Sequence, residues 1–430
     1  MKEPKPTEID GRTGEGGGQL VRIACALAAV AGRPIKITNV RGNRGGGPRG
    51  GDGGLKSQHV SAIKWLAEAT AADVSGLSIG SHTLEFRPRL RPSQLRDRAV
   101  NIAADSAAAS TLLIFQAILP FLLFAGNGSG SEQAPIEVEI TGGTNVAFSL
   151  SYEYLDQVLL PTLEAFFVGV RVDRRLAARG WSQGRAQRGR LQLTVHPLRA
   201  GEALRLRDPE RVFGPEDFEI VAVDVSVVVP WEMQTSLTRA LAQDLEDLFP
   251  GAEVCFRTVE DSGAESRIYV LLVARSATLR WGRDVLTSTP KKAKGKASSV
   301  SDSVSRKVSK ELYEEVSRGG VVDEYLQDQL VVFQALAKGR SSFPCSDGDD
   351  DDDDDDDGGG AGGGEEGLED AIEALSIEKR MRRDKAGEPF GEGSTHTATA
   401  RWVTTELLPD VAWYNKGLVC EGVGIQMDKP

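Results

Sequence analysis

Gly14-Glu15-Gly16-Gly17-Gly18-Gln19 runs directly into Leu20-Val21-Arg22-Ile23-Ala24-Cys25-Ala26-Leu27-Ala28-Ala29. The three consecutive glycines lack Cβ atoms, so their backbone can take positive φ and come close to a ligand. The Ala/Leu-rich run that follows favours helix, which makes the glycines a loop opening onto a helix N-terminus. Such an end offers unpaired N–H groups and a positive dipole to an anion. Arg22 falls in the first turns and adds a fork that matches phosphate. Glu15 is discordant, because a carboxylate beside an anion site repels phosphate unless it holds a metal ion or another cation. The plain alternative is a Gly-rich surface turn. The stretch lacks the Gly-Lys-Ser/Thr ending of a P-loop and is not a dinucleotide fingerprint.

Outward from this junction a helix-then-strand pattern occurs three times. It runs from Gln58 through Ile63 and Leu66 to Leu77–Phe86, with Gly80-Ser81 as a turn. It recurs from Tyr154–Leu160 through Val168–Val172 to Leu191–Val195, and again from Tyr325–Leu336 to a strand-like Thr395–Val403. This alternation predicts an α/β (α+β) protein: a large domain of three similar α/β units. Strand-like Phe218–Val229, Glu253–Val259 and Ile268–Ala274, with an amphipathic helix at Met233–Phe249, predict a small α/β domain inserted over 199–285. The large domain is then discontinuous, covering 1–198 and 286–430. Lys291–Ser309 reads as a solvated Lys/Ser tether, and 341–393 as a disordered acidic Gly/Asp-rich loop.

The chain has 430 residues and a formal charge of −12. Fifteen acidic residues and no Lys or Arg lie between 341 and 373, so the remainder carries +3, a slightly basic balance that does not exclude an anionic partner. Four widely spaced cysteines (Cys25, Cys255, Cys345, Cys420) form no zinc pattern and suit a reducing compartment. Met1–Pro6 has no apolar signal core, and the apolar run Thr111–Ala125 is too short to span a bilayer. No membrane association is expected.

A second Gly/Arg loop, Arg41 to Lys56, contains Arg44 and Arg49 and leads into Ser57-Gln58-His59, a plausible phosphate cradle. Gln116 interrupts an apolar helix, where a buried amide must bond either a backbone group or a site. Tyr325 and Asp328, three apart on one helix face, offer an aromatic plate and a carboxylate to a nucleoside. His59 opens a helix, whereas His82 and His196 lie in hairpin-like strands and read as structural or exposed. His396 lies in Ser-Thr-His-Thr-Ala-Thr-Ala, read as a polar strand edge with small neighbours that leave room for a ligand.

Glu15-Gly-Gly-Gly-Gln-Leu-Val-Arg22, Gly54-Leu-Lys-Ser-Gln58-His59, Gly142-Gly-Thr-Asn145, Val322-Asp-Glu-Tyr-Leu-Gln-Asp-Gln-Leu330, His396-Thr-Ala-Thr-Ala400 and Glu421-Gly-Val-Gly-Ile425 together resemble the RNA 3′-terminal phosphate cyclase family in its eukaryotic-type branch. The resemblance implies ATP and a divalent cation (Mg or Mn), RNA 3′-phosphate ends as substrate, and nuclear residence. It implies that His396 is the nucleophile that takes AMP from ATP, that Glu15 is the metal-associated carboxylate, and that Arg22, Arg41, Arg44 and Gln58 contact phosphates. It places Gln116 in the active site, Tyr325 against adenine, and Asp328 and Gln329 in the nucleotide pocket. The chain departs from the family pattern in its longer arginine loop, at Leu150 where a proline is usual, and over Arg179–Gly189, where a Gly-rich signature is degraded.

A non-catalytic cyclase-like factor of pre-rRNA processing is the main rival, and retention of Glu15 and His396 argues against it. An enolpyruvyl-transferase-type enzyme shares the unit architecture but needs no histidine nucleophile. A pure RNA-binding module is disfavoured by the near-neutral charge outside the acidic run. Deleting residues 346–370 is expected to leave folding and nucleotidyl transfer intact, and an insoluble product would overturn the reading of a disordered insertion.

Overall fold

The computed structural model describes residues 4–44, 53–126, 134–264, 266–288, 297–345 and 381–427. The chain divides into two units, 1–209 with 328–341 and 383–430, and 210–327 with 342–382. The acidic run 349–357 and Arg49 lie outside the described residues.

In the first unit one topology occurs three times. The first repeat is β1 (Thr7–Asp10), α1 (Gly18–Ala31), β2 (Ile35–Thr38), α2 (Ser57–Thr70), β3 (Asp73–Ser75) and β4 (Leu84–Arg87). Its sheet order is β1-β2-β4-β3, with β1 and β2 parallel across the α1 crossover and the other pairs antiparallel. The second repeat is β5 (Ala99–Ala103), α3 (Thr111–Leu123), β6 (Ile136–Gly142), a helical stretch α4 over 152–166 with a π-turn at Leu155–Leu159, β7 (Phe167–Val168), β8 (Val172–Ala178) and β9 (Gly189–Val195). Its order, β5-β6-β9-β8, repeats the first. The third begins at β10 (Arg205–Leu206) and is then interrupted by the second unit.

The second unit holds β11 (Ala222–Val229), α5 (Trp231–Leu248), β12 (Glu253–Asp261), β13 (Ile268–Arg275), β14 (Arg280–Thr287) and α6 (Ala297–Ser317), with strand order β12-β11-β13-β14. Two expectations are corrected here. The strand begins at Ala222 rather than Phe218, because Pro215 starts a 3-10 turn ending at Phe218. Residues 297–309 are not a tether but part of α6. Val300, Val304, Val308 and Leu312 repeat every four residues and are buried, beside buried Ser301 and Ser305. Ser301 Oγ lies 2.8 Å from Ser236 Oγ, and Ser305 donates to Asp244, both partners on α5. Small hydroxyls let the two helices pack closely.

The third repeat resumes with α7 (Glu324–Leu336), β15 (Lys338–Ser342), α8 (Thr395–Leu407), β16 (Ala412–Tyr414) and β17 (Val419–Val423), in the order β16-β17-β15-β10 with β7 added beyond β10. Thr395–Val403 is therefore helix, not strand. Ser394 caps it by accepting from Thr397 N at 3.2 Å, and Thr399 returns its hydroxyl to Thr395 O at 2.6 Å. These bonds absorb the β-branched threonines that suggested a strand. Before it, Asp384 accepts from Lys416 N at 2.9 Å and Gly417 N at 2.7 Å, which ties this approach to the turn after β16.

Helix α1 is buried on nearly all sides and packs against α2, α3 and α8. Arg22 is its sole charged residue. Among the described residues no helix is long and apolar enough to cross a membrane.

In the second unit, Arg283 on β14 pairs with buried Glu315 of α6 and lies 3.1 Å from Glu324. Its guanidinium also lies 4.5 Å from the centroid of the Tyr325 ring. Arg283→Met is expected to leave the buried Glu315 carboxylate with only the more distant Arg318, at 3.6 Å, and the Glu324 N–H, and to destabilise this unit by at most about 3–5 kcal/mol. Denaturant titration checks this, and the double variant Arg283→Met/Glu315→Gln should recover much of the loss.

Candidate active site

The glycine loop is shaped by side chains that a Cβ would strike. Gly14 (φ 65°) sits against Thr399 of α8, and Gly16 (φ 59°) against Asn43. Glu15 N–H donates to Thr399 Oγ1 at 2.9 Å, and Asn43 donates to Arg12 O at 2.6 Å. The loop is thereby clamped between α8 and the turn after β2, and it delivers Gln19 to the first turn of α1.

Gln19 occupies the centre of the arrangement. Its Nε2 donates to Asp328 Oδ2 at 2.6 Å, while its Oε1 lies 3.1 Å from His396 Nδ1. A carboxylate only accepts, so Asp328 orients the amide. The amide oxygen also only accepts, so the imidazole proton sits on Nδ1. The neutral ring consequently carries its lone pair on Nε2, which lies 4.0 Å from Glu15 Oε1. Gln329 steadies the far side of Asp328, with Nε2 at 2.6 Å from Oδ1.

Glu15 is 7% exposed at its side chain and pairs with Arg44 through Oε1. Its Oε2 is buried and has no hydrogen-bond partner among the described residues. A buried carboxylate oxygen without a partner is costly, and a cation there would remove that cost. Among the described residues no cluster of three or more His, Cys, Asp or Glu side chains could hold a metal. A cation would therefore need most of its oxygens from a substrate, as Mg²⁺ commonly does.

Beside this carboxylate the charge is mostly positive. Arg22 donates from Nε to Gln116 Oε1 at 2.9 Å, so the interrupting glutamine of α3 bonds a site arginine. Burial lowers the Arg22 pKa to about 10 despite the pull of Asp328 and Glu15, and Arg41 lowers it further. Arg41, at φ 54°, donates to Gly54 O at 3.2 Å, and burial and Arg44 lower its pKa. Gln58, at the second residue of α2, is half-buried. Arg22, Arg41, Arg44 and Glu15 thus form one cluster of net positive charge, with His396 and Asp328 joined to it through Gln19.

His396 is the second residue of helix α8 rather than a strand-edge residue. Tyr325 is 47% exposed and belongs, with Arg283, to the second unit, although it shares α7 with Asp328. Gln19 has no role legible in the sequence, since only the fold brings residues 19, 328 and 396 together. His59, set aside as a helix opener, is 2% exposed and accepts from Lys56 N–H at 3.1 Å. Its position directly after Gln58 was the available signal.

Comparison with known proteins shows that residues 13–350 match the family model described as RNA 3′-terminal phosphate cyclase. A protein of that name from Drosophila melanogaster is 31% identical over 342 residues, covering 80% of this chain and 86% of the fly protein. Proteins of the same name from Hyperthermus butylicus (33% over 349 residues) and Thermococcus sibiricus (31% over 337) each cover 77% of this chain, and 85% and 86% of their own lengths.

Burial, with Arg22, Arg41 and Lys56 nearby, holds His59 well below its ordinary pKa of 6.5. A depressed histidine binds its proton more readily when unfolded, so its contribution is intact above about pH 6.5 and is lost as pH falls. Relative to His59→Gln, the wild type is expected to lose about 1.4 kcal/mol per pH unit below that point. Denaturant midpoints of both proteins between about pH 8 and pH 5 measure the difference, and parallel profiles would refute it.

Proposed function

Because this chain belongs to the RNA 3′-terminal phosphate cyclase family, we propose that it converts an RNA 3′-terminal phosphate into a 2′,3′-cyclic phosphate, with ATP as second substrate and His396 as the residue that carries AMP. The observation that carries this reading is the 3.1 Å contact of His396 Nδ1 with Gln19 Oε1, whose amide nitrogen donates to Asp328. With Nδ1–H held by Gln19 Oε1, Nε2 is the nucleophilic nitrogen, and Asp328 behind Gln19 stabilises the positive charge the ring acquires.

In the first step Nε2 attacks the α-phosphorus of ATP. An N–P bond forms, the bond to the bridging oxygen breaks, and pyrophosphate leaves. An oxygen of the RNA 3′-phosphate then attacks the same phosphorus, the N–P bond breaks, and neutral His396 is regenerated with RNA-ppA as product. The vicinal 2′-OH finally attacks the terminal RNA phosphorus, the P–O bond to the adenylate breaks so that AMP leaves, and the hydroxyl proton passes to solvent. Arg22, Arg41 and Arg44 meet the charge that develops on the phosphates, and Gln58 adds a neutral donor. Gln116 holds Arg22 in place. A divalent cation on Glu15 would neutralise phosphate charge, and the partnerless Oε2 supports that placement. Gln329 Oε1, also buried and without a hydrogen-bond partner among the described residues, suits an amino group of the nucleotide. Tyr325 is the proposed platform for adenine by family position.

The test is incubation with α-labelled ATP and Mg²⁺ or Mn²⁺, followed by denaturing electrophoresis. Wild type should retain label, and His396→Ala and a chelated sample should not. Gln19→Leu, which keeps the volume but removes the relay, should label about 10²-fold more slowly. Absence of label on wild type with either metal would favour a non-catalytic factor of pre-rRNA processing.

A further inference from the structure

Three loops converge at one end of the second sheet: 104–110 after β5, 143–151 after β6, and 179–188 between β8 and β9. Their backbones are joined by the bridges Ser110–Gly143 and Asn145–Trp181. Thr144 and Asn145 N–H both donate to Gly180 O, at 3.1 and 3.0 Å. A Cβ on Gly180 or Gly189 would strike backbone atoms, so the neck of the hairpin admits only glycine. Arg188 donates to the Asp105 carbonyl, and the Asp105 carboxylate lies 3.5 Å from Oγ of Ser57, the first residue of α2. The loop cluster therefore adjoins the helix start that carries Gln58 and His59.

Two features of this cluster have no part in the chemistry described above. The first is Phe148, whose side chain is fully exposed (102%) at φ 62°. That backbone conformation costs a non-glycine residue roughly 1–2 kcal/mol, and here it presents a large aromatic ring to solvent. Its neighbour is anchored, since Ser149 Oγ bonds Ser110 Oγ at the cap of α3. The second is the hairpin tip. Between Arg174 and Arg190 there are six arginines and no carboxylate. Arg174 is neutralised by Asp156 and Glu164, and Arg179 by buried Glu153. Arg185 and Arg188 are exposed on a tip closed by paired backbone bonds between Trp181 and Gln187, with Trp181 buried beneath.

We infer that this loop cluster binds the single strand of RNA that leads into the 3′ end, with one base stacked on Phe148 and backbone phosphates held by Arg185 and Arg188. The inference rests on the cyclase reading for the identity of the strand. An exposed aromatic beside exposed cations is the pairing that single strands require, because every nucleotide offers a π-face and a phosphate. A folded acidic protein would match the arginines but would leave the ring without a partner. The tip is preformed, so binding orders few additional side chains.

The test is fluorescence anisotropy with a short 3′-phosphorylated oligoribonucleotide at several salt concentrations, on the full chain. Phe148→Ala is expected to weaken binding by roughly 5- to 100-fold without changing the salt slope. Arg185→Ala/Arg188→Ala should weaken it and flatten the slope of log K against log[salt] by about 1.4, the value for two phosphate contacts to a single strand. Lys307→Ala/Lys310→Ala, which removes two exposed charges of the second unit, is the control and should do neither. Affinity and slope unchanged in both test variants, or an equal loss in the control, would overturn the proposal. So would a Phe148→Ala effect confined to the KM for ATP. ATP labelling of His396 is scored separately: loss of label in wild type defeats the cyclase chemistry, whereas the binding slopes judge the loop cluster.

Discussion

The amide of Gln19 is the contact on which the site depends. It joins α1 to α7 through Asp328 and to α8 through His396, three helices from two different repeats. Its two ends are chemically different, and that difference transmits information. Asp328 accepts only, so it takes the NH₂ end, and the oxygen is left for the imidazole. A proton is thereby assigned to one nitrogen of a histidine that lies 68 residues further along the chain from Asp328. Neither a hydroxyl nor an aliphatic side chain at position 19 would span both partners with the correct polarity.

Around this relay the fold accumulates positive charge in a poorly solvated place. Arg22 stays protonated at neutral pH even with its pKa lowered to about 10, whereas His59, buried beside cations, is held neutral. Desolvation first, and repulsion between neighbouring arginines second, work against these charges, and an anion placed among them would relieve that repulsion. Glu15 offsets part of that repulsion through Arg44 but leaves one oxygen uncompensated. Local destabilisation of this kind is common where a site is built for a charged ligand.

The architecture was readable from sequence where periodicity is local. Three helix-plus-strand alternations and a separate β-rich stretch sufficed for an α/β assembly, and the three sheets do share one strand order. Errors arose where local propensity and packing disagree. The threonines around His396 favour extended chain, yet a serine cap and hydroxyl-to-carbonyl bonds make them helical. The serines of α6 looked like a linker because their role is to let two helices approach, which cannot be seen without the partner helix.

By itself the sequence determined the residue types of the site. A glycine loop at a helix start, the arginines, the acid of Glu15 and a histidine among small residues could be picked out because each has a chemistry independent of its neighbours. Tertiary structure decided how they act together. It set Gln116 on Arg22, made Gln19 the bridge between Asp328 and His396, and buried His59 among cations. It also gathered Phe148 and the arginine hairpin at one end of a sheet. The physical reason is range: propensity and capping act over a few residues, whereas hydrogen-bond direction, desolvation and charge proximity depend on distances that only the folded chain creates.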